Sequence, residues 1–464
     1  MSILIIGAGP TGLGAAHRLL ERGHTDFLVV DRNDYFGGLA ASFTDPRGFT
    51  WDFAVHAAHS HYTYFDNLLE SLLPDGFHHH ERRSWVYTRE RFIPYPFQSN
   101  FRHLPEEAVA DCIRGLRNRP ARPEDPPSNF REWIVGLFGE GIADHFMVPY
   151  NRKVWCVDPE EMGCQWTGDR VPVAGLDRIL EHIEQKKDDV SWGPNATFRF
   201  PKEGGTGAIW KKLGERLPPE QVKLSSTVDA LDPGGKVASF RDGSTFRYEQ
   251  VISTIPLPEL CRFLGGGGEW GPVKRLKHTR VQVVGVAPGF PLPARLQGKT
   301  WIYCPDDNAN YYRVTPFSLL SPSHVPDPDR QCSLLCEVSA AGRKSQPDEK
   351  DLIRTTLSSL RHSGLIDVDP EHSHTIVMTA EYGYPVPTTD RDEILNEILP
   401  RLEEIGIYSR GRFGGWKYEV SNMDHALMQG VEAVDHILDG AEQVTIYQPN
   451  LVNQNVSDFR RPPR

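Results

Sequence analysis

The sequence predicts an α/β fold: a Rossmann-like domain, an inserted helical domain and an antiparallel sheet domain. Three observations carry that prediction. The chain opens on an apolar run, a glycine-rich turn, a helix-like stretch and a second apolar run in unbroken order. A proline-rich break follows residue 119 and separates two helical segments. Beyond residue 270, short runs of alternating apolar and polar residues replace the helical spacing.

The opening unit is the most informative. Ile3 to Ile6 leads into Gly7-Ala-Gly9-Pro-Thr-Gly12-Leu-Gly14, a helical stretch reaches about Arg22, and Phe27 to Val30 stops at Asp31. Glycines permit a tight turn and close backbone approach to a pyrophosphate, the helix N-terminus faces its charge, and the acidic residue accepts from a ribose hydroxyl. The glycine pair in Asp34-Tyr-Phe-Gly37-Gly38-Leu39-Ala-Ala-Ser42 lets the backbone approach a flavin and resembles the GG-motif flavoproteins, so FAD is expected rather than NAD.

In Arg119-Pro-Ala-Arg-Pro-Glu-Asp-Pro-Pro127 each proline removes a donor and crowds the preceding turn, which rules out helix interior. Ser128 then caps a helix that puts Phe130, Trp133, Ile134, Leu137 and Phe138 on one core face. From about Ser225 to Thr254 short strands with glycine turns end in Val251 to Ile255, a return to the nucleotide-binding sheet. The Gly265–Gly268 run reads as a flexible turn. Runs at Val281–Val286, Thr300–Tyr303, Tyr311–Val314 and Leu334–Val338 form the separate antiparallel sheet, and a last helix starts near Asp424. The expected division is FAD-binding parts at 1–90, 191–270 and 386–464, a mainly helical substrate region at 91–190 and a sheet domain at 271–385.

Composition narrows the function. With 51 basic and 62 acidic residues the net charge is −11, which argues against a general binder of nucleic acid or anionic membrane. No apolar stretch approaches the ~20 residues of a spanning helix. Seven cysteines without CxxC spacing read as thiols in a reducing cytosol, so the expected location is cytoplasmic. The histidines of His56-x-x-His59-x-His61 and His78-His-His80 lack a carboxylate or cysteine companion at motif spacing, and no metal is expected.

Several further blocks occur in order: Ile93-Pro-Tyr-Pro-Phe-Gln98, Pro149-Tyr-Asn-Arg-Lys-Val-Trp155, Trp192 to Pro201, Gly204-Gly-Thr-Gly207 and Gly411-Arg-Phe-Gly-Gly-Trp-Lys-Tyr-Glu419. Together with the N-terminal unit they resemble the UDP-galactopyranose mutases, particularly the eukaryotic-type branch, over nearly the whole chain. The resemblance implies a mutase that interconverts pyranose and furanose forms of a nucleotide-diphosphate sugar, with N5 of reduced FAD as the nucleophile at the anomeric carbon. NAD(P)H or another donor would reduce the flavin, and a homo-oligomer is compatible with the family.

It also implies residue roles. Gly7, Gly9, Gly12, Asp31, Gly37, Gly38, Leu39, Ser42, Gly411, Asp424 and Met428 would contact FAD. Arg313 and Arg412 would hold the diphosphate with Tyr303, Tyr384 and Tyr418, a task that suits the permanently charged, two-pronged guanidinium. Tyr95, Phe97, Gln98, Asn151 and Trp155 would read uracil and ribose, Asn422 would close on the pyrophosphate, and Asn195 would lie near sugar and flavin. His56, Arg170, Arg313 and Arg412 form the expected catalytic set.

One segment departs from the family pattern. Beside the flavin the family reads Gly-Gly-His followed two residues later by an aromatic, whereas this chain reads Ala54-Val55-His56-Ala57-Ala58-His59. A β-branched Val55 is costly at positive φ, and the added methyl groups and His59 alter the sugar side. The sequence therefore leaves open another nucleotide sugar, a redox reaction on a sugar or amine, and a noncatalytic nucleotide-sugar binder.

Overall fold

The computed structural model describes residues 1–74, 76–120, 126–168, 171, 175–190, 196–265, 268–342 and 348–453. Strand β1 (Ile3–Ile6) is buried along its whole length, as expected of a parallel strand covered on both faces. It pairs in parallel with β2 (Phe27–Val30) and with Gln250–Ser253; Val222–Lys223 and Ile407–Ser409 extend the two edges of this five-stranded sheet. Helix α1 (Pro10–Glu21) begins on proline, whose missing N–H would have no intrahelical partner there, and buries Leu13, Ala15, Ala16 and Leu19.

The helix Met423–Asp439 packs along α1 at very close range. A Cβ on Gly14 would lie 2.7 Å from the Leu427 carbonyl oxygen, and one on Gly430 only 2.0 Å from that of Thr11. Two hydrogen atoms in place of side chains thus set the helix separation. Arg18 and Arg22 reinforce it by donating to Asp435 at 2.9 and 2.7 Å.

The second sheet has seven strands in the order His374–Pro385, His278–Ala287, Leu334–Ala341, Arg313–Pro316, Trp301–Tyr303, Ser84–Thr88 and Arg91–Pro94. Neighbours are antiparallel except Trp301–Tyr303 and Ser84–Thr88, which run parallel. All four alternating runs of the sequence fall in this sheet. The hairpin Ser84–Pro94 joins it through partners more than 200 positions away, a pairing that local periodicity does not encode. Against the sheet lie the helices Glu106–Arg117 and Phe130–Ile142, with Phe97, Phe101, Phe130, Ile134, Phe138, Val283 and Leu335 in one apolar cluster. A smaller antiparallel sheet, Val228–Asp232, Val237–Phe240 and Thr245–Arg247, matches the short strands expected after Ser225.

The expected Ser128 cap is displaced by one residue. Asn129 occupies the cap and its side chain accepts from the Glu132 N–H at 2.9 Å, while the Glu132 carboxylate accepts from Ser128 N–H at 2.8 Å. Asparagine fits because its amide oxygen reaches the third helical N–H and the glutamate returns the bond. Residues 121–125 of the proline-rich break and Gly266 and Gly267 lie outside the described residues. Among the described residues no helix is long and apolar enough to cross a membrane.

Candidate active site

The glycines after β1 have distinct jobs. Gly7 takes φ +109°, a turn that a side chain would strain, and a Cβ on Gly12 would strike the Gly7 carbonyl oxygen at 1.8 Å. Gly9 differs: its Cβ would meet nothing closer than the Gly37 carbonyl oxygen at 3.9 Å. The space beside Gly9 is therefore not claimed by packing. It lies at the N-cap of α1, where no side chain caps the helix, beside the Gly37-Gly38 turn. Such a cradle fits the pyrophosphate of a dinucleotide. Asp31, at the end of β2, is oriented by bonds from Ala8 N–H at 2.7 Å and Asn33 N–H at 2.8 Å. Leu39 and Met428 flank this region in the cores beneath it, and the Gly411 N–H donates to Gln429 Oε1. Ser42 is engaged internally: its hydroxyl donates to Asp52 and accepts from Gly207 N–H.

That serine belongs to a network under the departing loop. Asp52 is fully buried, which pushes its carboxyl up to about 6 against the pull of Ser42 and Thr206. Thr206 donates its backbone N–H to Asp52 and its hydroxyl to the His56 carbonyl. In the loop itself neither Ala54 nor Val55 takes a positive φ, and Val55 is packed into the core. The expected cost of a β-branched residue at positive φ is thus not incurred, because the backbone follows a path open to L-residues. His56 Nδ1 lies 3.0 Å from the Ala54 carbonyl oxygen. Burial, then Arg412, then Arg313 push its imidazole down to about 4, so it is neutral at pH 7. His59 is lowered to about 4 by burial and by Arg82, and packs against Phe198.

His61 pairs with Asp424, not with the other loop histidines. Its backbone N–H and Nδ1 lie 2.9 and 2.7 Å from Asp424 Oδ2, and Asp424 Oδ1 is 3.3 Å from His425 Nδ1. Burial raises the Asp424 carboxyl, but His425 and His61 outweigh it and hold the group well below the usual carboxylate range. This places a buried anion in the first turn of the Met423–Asp439 helix, where the helix dipole also favours it. Asn422 is the N-cap residue of that helix.

On the opposite wall, Arg313 forms a two-pronged pair with Glu337: Nε and Nη2 each donate at 2.7 Å. Glu337 is wholly buried and also accepts from Tyr312, whose hydroxyl lies 3.3 Å from that of Tyr384. Arg412 donates to the Gly383 carbonyl at 3.0 and 2.9 Å and to Ser421 at 2.8 Å, and its guanidinium lies 4.9 Å from the centre of the Tyr384 ring. Tyr303 accepts from Arg82 at 3.2 Å; burial would raise its pKa, but Arg82 and Arg313 lower it overall. Tyr95 stands edge-on to Tyr303, and Trp155 edge-on to Tyr384 and Tyr418.

The structure brings His56, Arg313, Arg412, Tyr303, Tyr384, Tyr418 and Trp155 into one region. Three expected contacts come out differently. Phe97 is fully buried and stacked on Phe146, so it supports the wall from behind; Gln98 is buried beside it. Asn151 spends its amide on the Met147 carbonyl and on the Trp155 indole N–H, and so orients Trp155. Arg170 and Asn195 lie outside the described residues. Sequence reasoning missed Glu337, Tyr312 and Arg82. For Glu337 the signal was present, a lone charge in the apolar run Leu334-Leu-Cys-Glu-Val338.

Comparison with known proteins identifies the family. The profile of flavin containing amine oxidoreductases matches residues 10–438. A crystal structure of reduced UDP-galactopyranose mutase superposes with a TM-score of 0.92, at 40% identity and 97% coverage of both chains. The curated "Probable UDP-galactopyranose mutase" of Klebsiella pneumoniae is 24% identical over 170 residues, 35% of this chain and 42% of that protein's length. A fatty acid isomerase from P. acnes, at 14% identity and a TM-score of 0.59, shares the fold alone.

Proposed function

The chain belongs to the flavin-containing amine oxidoreductase family and, within it, to the UDP-galactopyranose mutases, and from that premise we propose that it converts a UDP-linked sugar between pyranose and furanose forms. The observation that carries this reading is the convergence of two cations on one aromatic wall. Arg412 lies over Tyr384, Tyr384 meets Tyr312, Tyr312 and Arg313 share Glu337, and both arginines depress the His56 imidazole. A diphosphate bridging them would replace water by fixed charges and hydrogen-bond donors.

The enzyme is a flavoprotein with FAD as cofactor. In our reading Gly7, Gly9, Gly12, Asp31, Gly37, Gly38, Leu39, Gly411, Asp424 and Met428 hold it. Bound and reduced, by NAD(P)H or another donor, FAD supplies an electron-rich nucleophile. Arg313, Arg412, Tyr303, Tyr384, Tyr418 and Asn422 retain the departing diphosphate so that it stays within reach. Tyr95, Gln98, Asn151 and Trp155 shape the uridine end, with Arg170 and Asn195 assigned to the sugar side by resemblance. A neutral His56 offers a hydrogen bond without adding a cation beside the two arginines. We further propose a cytoplasmic location.

The identity of the sugar is the finer question. Ala54 and Val55 stand where the family has glycines and Ala58 where it has an aromatic ring, followed by the neutral His59 imidazole, which favours a second reading, a UDP-sugar other than galactose. The deciding experiment is anaerobic. Dithionite-reduced protein incubated with UDP-galactopyranose should give the furanose form by chromatography, with the flavin still reduced afterwards. Stoichiometric flavin oxidation or reduction by substrate would reject the mutase, while UDP binding without conversion would point to another sugar.

A further inference from the structure

We propose that Lys153, gripping the turn between Cys304 and Ala309, is a positioning residue that fixes the distance between the uridine end and the diphosphate end of the pocket. The inference rests on the pocket reading given above.

Lys153 sits on the helix Val148–Trp155, two positions from both Asn151 and Trp155. Its ammonium donates to three backbone carbonyls, those of Cys304 at 2.9 Å, Asp306 at 2.8 Å and Ala309 at 2.9 Å. An ammonium has three protons, so its donor capacity is spent on one turn. Burial disfavours the charge and lowers the Lys153 pKa, yet three convergent carbonyls suit a cation and little else. No donor remains for a phosphate, which excludes a direct role in binding.

The gripped turn joins Trp301–Tyr303 to Arg313–Pro316, and Tyr303 and Arg313 are directly paired across those strands. Moving the turn therefore moves two diphosphate ligands together. Asp306 carries the connection further. Its carboxylate accepts from the Thr88 hydroxyl at 2.5 Å and from Arg89 N–H at 2.9 Å, at the bend of the hairpin whose second strand leads into Tyr95 and Gln98. One turn thus holds the helix bearing Asn151 and Trp155, the strand pair bearing Tyr303 and Arg313, and the hairpin leading to Tyr95. Only a ligand that spans both ends of the pocket senses the spacing that this turn sets.

The test compares UDP with its two parts in the FAD-loaded protein. Lys153→Met is expected to weaken UDP binding about tenfold or more, while uridine and inorganic pyrophosphate, each measured alone by saturation-transfer NMR, change less than about twofold. In Lys153→Ala, which vacates the site, propylammonium should restore part of the UDP affinity while leaving the wild type unaffected, and Lys153→Arg should retain more affinity than Lys153→Met. If Lys153→Met does not fold, Asp306→Ala, which removes both carboxylate oxygens that tie the turn to the hairpin, should show the same split between whole ligand and parts. Equal losses for UDP and its parts, unchanged UDP affinity, or a loss that follows FAD content and melting temperature would overturn the proposal. Wild-type protein that failed to bind UDP would instead reject the pocket itself.

Discussion

Glu337 shows how one buried residue decides what another can do. A guanidinium out of water needs a partner, and Glu337 supplies both oxygens to Arg313 while leaving Nη1 outside the pair. Removing the carboxylate should cost about 3–5 kcal/mol, the typical penalty for breaking a buried pair and stranding its partner. Glu337→Ala should therefore show a lowered urea midpoint, and saturating UDP should raise that midpoint more in the variant than in the wild type, because the diphosphate returns a negative charge to Arg313. Equal shifts would place the UDP phosphates away from Arg313. Residue identity alone pointed to the arginine, since guanidinium chemistry is the same in any context. It did not reveal that Asn151 serves Trp155 or that Phe97 stands behind the wall, because side-chain direction depends on packing from distant segments.

Elements differed sharply in how much the sequence disclosed. The unit of β1, α1 and β2 was legible because its spacing, turn chemistry and terminal Asp31 all act within a short stretch. The helix cap at Asn129 was one residue off, since Ser128 and Asn129 both have suitable side chains and only the return bond from Glu132 separates them. Sheet membership of Ser84–Pro94 was invisible, as its partners lie across the chain. The glycines of the first unit give a paired prediction. Gly9→Ala leaves the fold intact, since its Cβ would meet only one atom at 3.9 Å, but should reduce FAD affinity about tenfold or more by occupying the cradle. Gly430→Ala should do the reverse first, destabilising the apoprotein by about 1–3 kcal/mol as the helices are forced apart. Melting of the apoproteins and flavin titration separate the two; a Gly9→Ala apoprotein that melts early would mean the space is structural.

At the scale of the molecule, buried histidines tie folding to pH. His324 is completely buried, with Nδ1 2.9 Å from the Phe317 carbonyl oxygen, and burial pushes it down to about 4. The unfolded chain binds its proton near pH 6.5, so the native state gains stability above that pH and loses it as pH falls toward 4. At pH 5 the loss from this one group is roughly 2 kcal/mol. His56 and His59 act in the same direction. Denaturant melts at pH 7 and pH 5 should differ by about 2 kcal/mol less in His324→Phe than in the wild type; an identical difference would assign the acid sensitivity to other groups.

The turn that begins at Gly7 meets Gly411, where a Cβ would lie 2.4 Å from the Thr11 hydroxyl oxygen, and the helix carrying Asp424 and Gly430. During translation the first glycines leave the ribosome some four hundred residues before their partners. A nascent chain can therefore form β1 and α1 early, but the proposed cofactor cradle is complete only once residue 430 has been made.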